Sequence, residues 1–104
     1  MNLDSQFELL QAQYDLVFFL GILYHLKNPY DVLEHLSEKA KHCFLSTRIA
    51  RRTQDQPGEL EHAPVAYLLN PDECNNDATN FWIFSEAGLI RLLDRCGWSV
   101  EASV

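Results

Sequence analysis

The sequence predicts an α/β fold, with three mainly parallel strands and two main helices, from three observations. An unbroken apolar run, Tyr14 to Leu20, stops at Gly21. A segment with helical spacing opens on Asn28 and Pro29. Strand-like and helix-like stretches then alternate to the end of the chain, the order that makes a parallel sheet with right-handed crossovers.

The first run, YDLVFFL, is rich in aromatic and branched residues and does not alternate with polar ones. That suits a strand buried on both faces, as in a parallel sheet. A buried helix would have the same composition, but the short length and Gly21 favour the strand. From Pro29 to Lys41 the period changes: Val32, Leu33, Leu36 and Ala40 fall on one helical face, with Asp31, Glu34, Glu38 and Lys39 elsewhere. Asn28 reads as the N-cap with proline at the first helical position, and Lys39 and Lys41 suit the negative end of the helix dipole. Cys43 to Ala50 is a second strand.

Arg51 to Thr79 holds three prolines and one glycine. It is too long for an ordinary connector, which marks it as a functional excursion or a segment ordered by a ligand. Ser85 then caps a helix whose apolar face is Leu89, Ile90, Leu92 and Leu93, and Cys96-Gly97 closes it with glycine as the C-cap. Trp98 to Val104 alternates weakly and reads as the last strand.

At 104 residues the chain amounts to one domain at most. With 47% hydrophobic and 22% charged residues it is globular and not disordered. A net charge of −7 argues against a general grip on nucleic-acid phosphate. The one basic cluster is Arg48, Arg51 and Arg52. Cys43, Cys74 and Cys96 show no CxxC spacing and cannot all pair within one chain. With no secretory signal at the start, reduced thiols in a cytoplasm are the expectation. No metal is expected, because His35, His42 and His62 lack ligand spacing with the cysteines. The stretch Leu16 to Leu26 falls short of the roughly 20 apolar residues that span a bilayer, so no membrane role is expected.

Ligands of parallel sheets bind outside the carboxyl ends of the strands. The turn from Gly21 to Asn28, which carries the Tyr24-His25 pair, is therefore the candidate functional loop. The stretch YDLVFFLGILYHLKNPYDVLEHL, Tyr14 to Leu36, resembles the fourth strand, following loop and helix of class I S-adenosylmethionine (SAM)-dependent methyltransferases. More narrowly, it is similar to the branch acting on the tRNA wobble uridine, the methoxyuridine/carboxymethoxyuridine enzymes. A second block, Leu68 to Trp98, is similar to the same branch through its Asn80-Phe81-Trp82 segment ahead of a helix.

The resemblance implies a partial Rossmann-like domain over residues 1–104, from about strand four to strand six. The family's glycine-rich SAM turn is absent, since Gly21, Gly58, Gly88 and Gly97 are all isolated. The expectation is a fragment or truncated methyltransferase lacking the N-terminal SAM-binding half and inactive alone. Its acceptor would be tRNA or a small molecule, and its donor SAM or a carboxylated SAM. By resemblance, Gly21, Leu23 and Tyr24 bind the cofactor, His25 is the catalytic base, and Arg48, Asn80 and Trp82 bind substrate. Each also has a structural reading: Gly21 as strand terminator, Tyr24 and Trp82 as core aromatics, His25 satisfied by backbone, Arg48 as surface charge. The alternative to an enzyme is a non-catalytic half-Rossmann interaction module. In either case the expected partner is a second copy or the missing N-terminal half, joined through the unpaired strand Tyr14–Leu20.

Overall fold

The computed structural model describes residues 13–50, 62–73 and 77–103. Arg51, Arg52 and Cys74 lie outside the described residues. The chain forms an α/β unit of two helices, a two-stranded parallel sheet and a two-stranded antiparallel sheet.

Strand β1 (Tyr14–Leu20) is followed by a short 3-10 turn, Leu23–His25, and by helix α1 (Pro29–Lys39). Strand β2 (Ala40–Ser46) begins where α1 ends, with no connecting residue. It pairs parallel to β1 from Tyr14↔Ala40 to Leu20↔Ser46. The helix is therefore two residues shorter than its charge pattern implies, because Ala40 is already extended at φ −133° and ψ 143°. The strand likewise starts earlier than Cys43 and ends at Ser46. Beyond it, Ile49 forms a parallel bridge to Phe84, and the Ala50 amide donates to the Phe84 carbonyl at 2.8 Å. Asn28 precedes α1 without capping it through its side chain; its Nδ2 donates instead to Asp31 Oδ2 at 2.8 Å.

The remaining strands differ from expectation. Within the supposed connector lies β3 (Ala66–Leu68), antiparallel to β4 (Trp82–Phe84) with Tyr67 opposite Ile83. Helix α2 (Glu86–Arg95) follows β4, and Ser85 caps it by accepting from the Gly88 amide at 2.9 Å. Residues 98–103 form no strand. Gly97, at φ +97°, turns the chain so that the Trp98 indole N–H donates to the Leu33 carbonyl at 2.9 Å. Trp98 thereby joins the helical layer and is lost to any sheet. Among the described residues the third parallel strand is thus replaced by an antiparallel pair.

The core is Phe19, Leu23, Leu26, Val32, Leu33, Leu36 and Cys96, with Leu45, Phe84, Leu89, Leu92 and Leu93 packed on it. Each fully buried aliphatic side chain stabilises by about 1.5–3 kcal/mol. Ile90, placed by its spacing on the apolar face of α2, is exposed. Both helices contribute to one cluster that includes Phe19 of β1, so among the described residues only one face of the parallel sheet is covered. β1 is not buried on both sides: Leu16, Phe18 and Leu20 are exposed. Among the described residues no helix is long and apolar enough to cross a membrane.

Candidate functional site

The site is built on the chain reversal at the carboxyl end of β1. Gly21 takes φ +64°, the left-handed region that favours glycine, and its amide still donates to the Ser46 carbonyl of β2 at 2.9 Å. A Cβ at this position would lie 3.3 Å from the Tyr24 hydroxyl, so the tyrosine folds back over the glycine. The 3-10 turn, closed by His25 N–H to the Ile22 carbonyl at 2.9 Å, sends the Leu23 side chain wholly into the core. That leaves Leu23 only its backbone to offer a ligand. Tyr24 and His25 project from the turn with ring centroids 4.6 Å apart. The Arg48 guanidinium, two residues past β2, sits 5.9 Å from the centre of the Tyr24 ring, a cation–π contact.

A distant segment closes over this turn. The Phe81 amide donates to the Tyr24 carbonyl at 2.7 Å, and the Trp82 indole N–H donates to the Lys27 carbonyl at 3.1 Å. The Lys27 ammonium lies 5.4 Å from the centre of the Phe81 ring. Asn80 is buried beneath the segment, and its backbone N–H donates to the Asp77 carbonyl at 3.2 Å. The seven expected site residues thus gather in this one region: Leu23 and Asn80 are buried, and Gly21, Tyr24, His25, Arg48 and Trp82 are at least partly exposed. Asn80, being buried, is placed to position the segment and not to meet a large acceptor directly.

His25 is held in one orientation. Its Nδ1 lies 2.9 Å from the Thr79 carbonyl oxygen and 3.1 Å from Thr79 Oγ1. A carbonyl can only accept, so Nδ1 carries the hydrogen in the neutral ring. The Thr79 hydroxyl donates its own proton to Asp77 Oδ1 at 2.6 Å, which leaves Oγ1 as a second acceptor for the same N–H. Nε2 is then the unprotonated nitrogen of an exposed imidazole. Asp77 also accepts from the Thr79 amide at 2.9 Å. These bonds, with a smaller contribution from His25, hold its carboxyl below the ordinary aspartate range. Asp77 and Thr79 carry no motif in the sequence. A polar cluster between prolines and an aromatic segment was their only trace.

The two described thiols, Cys43 and Cys96, take no part in this arrangement. Burial pushes Cys96 up to about 11, helped by Glu34 and Asp31, and its Sγ donates to the Tyr30 carbonyl at 3.4 Å. Burial also raises Cys43. Both are poor nucleophiles, since the thiolate is the reactive form. No group of three or more His, Cys, Asp or Glu side chains suited to a metal ion occurs among the described residues. No protein-family model, curated protein or solved structure matches this chain.

Proposed function

We propose that the chain supplies the acceptor-side portion of a SAM-dependent methyltransferase site, acting on tRNA or a small molecule. The observation that carries this reading is convergence: the turn Gly21–His25, Arg48 and the segment 79–82, far apart in sequence, meet at the carboxyl end of β1. The Tyr24 hydroxyl, folded over Gly21, places a polar group at the strand end that suits a polar ligand. Gly21, the Leu23 backbone and Tyr24 would hold the donor. The donor brings an already activated methyl group, so the protein's task is alignment and exclusion of water.

His25 Nε2 takes the proton from an acceptor hydroxyl, while the Thr79 carbonyl accepts the Nδ1–H and steadies the imidazolium. Arg48 pairs with an acidic group on the acceptor. The Trp82 indole, fixed in orientation by its bond to Lys27, stacks on the acceptor ring. The family's glycine-rich turn is not among these 104 residues. The methionine and ribose ends of the donor would therefore be held by another polypeptide segment. A non-catalytic module is the second reading, favoured by one observation, the uncovered face of β1 and β2.

Amide chemical-shift mapping of the whole chain with SAM tests the proposal. The expected result is weak saturable binding, with a dissociation constant above about 1 mM, and shifts concentrated at Gly21, Tyr24 and His25. Micromolar affinity would remove the half-site reading. Shifts confined to other regions would remove the assignment of the turn.

A further inference from the structure

The pairing of β1 with β2 sorts their side chains into two sets. Val17↔Cys43 and Phe19↔Leu45 face the helices. Leu16↔His42, Phe18↔Phe44 and Leu20↔Ser46 form the opposite face. There Phe18 is 62% exposed, Phe44 61% and Leu20 55%, with Leu16 and Tyr14 less so. The Phe18 and Phe44 rings stack at 5.5 Å with planes 10° apart, making an apolar ridge across the two strands. Parallel sheets are almost always covered on both faces. Among the described residues this one is covered on one.

We infer that a second copy of the chain covers this face, Phe18–Phe44 ridge against Phe18–Phe44 ridge. Three features favour a copy over a foreign partner. The face carries no acidic or basic residue apart from His42, although the chain's net charge is −7. A charged partner would thus find no electrostatic anchor there, whereas an identical ridge is complementary to itself about a two-fold axis. The exposed area of its large side chains is on the order of 500 Å² per copy, judged from typical side-chain areas. Two copies together reach about 1,000 Å², the lower bound for a specific interface. The inference rests on the sheet alone and stands whether or not the methyltransferase reading does.

Sedimentation velocity of the full chain, from about 5 µM to about 500 µM, tests it. The expected result is a dimer that tightens as salt screens the repulsion between two acidic copies. Phe18→Glu and Phe44→Glu, each introduced singly, weaken it at least about thirtyfold. Their far-UV circular dichroism stays native, because both side chains lie outside the core. Mixing Phe18→Glu with Phe18→Lys restores association. A wild-type monomer at the highest concentration overturns the inference. So does a dimer that survives both glutamate substitutions, which would point to pairing along the β1 edge or elsewhere. Should the glutamate variants lose their fold, Leu20→Lys at the rim of the same face takes their place, and an unweakened Leu20→Lys dimer is equally fatal.

Discussion

The two sheets of this protein are held together by different forces. The β1–β2 pair runs seven residues on each strand, and its inner face packs on a core of fully buried aliphatic side chains from the turn and α1. The β3–β4 pair runs only three residues on each strand and hangs on polar ties. The buried Ser85 hydroxyl binds four groups: it accepts from the Gly88 and Val65 amides and hydrogen-bonds the Ala63 and Val65 carbonyls. The Tyr67 hydroxyl donates to Glu73, which also accepts from the Asn70 amide at 2.8 Å and is held below the ordinary glutamate range by these bonds. His25, Thr79 and Asp77 add a third tie. Apolar packing fixes where β1 ends, and directional bonds fix what lies over that end. A site assembled this way has a firm floor and a polar roof that opens at lower cost.

Substitutions in each part sharpen the contrast. Leu33→Ala, in the centre of the core, should cost about 2–5 kcal/mol in denaturant unfolding and weaken both sheets together. Gly88→Ala comes next. Its Cβ would press on the Val65 carbonyl and lie 2.9 Å from the Val65 nitrogen, so about 1–3 kcal/mol is expected despite the better helix propensity of alanine. The lost amide protection should centre on Val65 and Ser85 and spare Phe19. Ser85→Ala removes both a helix cap and a side-chain acceptor of the Val65 amide, for about 1–2 kcal/mol with the same local pattern.

Acid should produce the smallest change and the most local. Asp77 titrates lower in the folded chain than in the unfolded one. Its stabilising contribution is therefore complete above the unfolded value and is lost as pH falls through the folded value. Proton-detected titration should show the Thr79 amide shifting below the ordinary aspartate range while the β1 amides stay fixed. Asp77→Asn should reproduce that local shift at neutral pH. A β1 response to either would contradict the independence of the roof.

Periodicity made the floor legible in the sequence. The bounds of β1 and the start of α1 follow from local rules, and beyond the floor so do the Ser85 cap and the Gly97 stop of α2. The rest of the roof was not legible, for identifiable reasons. Ala66–Leu68 is too short for a strand signal and sits among prolines and polar residues. Trp98 to Val104 has a strand's alternation, but Trp98 found a better partner in the α1 backbone. The apolar density of β1 suggested two covered faces, whereas the helices cover one. The candidate residues divided along the same line. Tyr24 and His25 were visible at a strand end, while Thr79 and Asp77 become recognisable only through contacts made more than fifty residues from His25.

The central chemical claim is that His25 presents an unprotonated Nε2 at the mouth of the site. Long-range nitrogen–proton correlation spectra of the histidine side chains read this directly. For the neutral His25 ring the Nδ1–H tautomer is expected, and it should lose its preference in Thr79→Ala only if that change also displaces the residue 79 carbonyl. A neutral His25 ring found predominantly as the Nε2–H tautomer would contradict the bond to Thr79 and remove the proposed general base.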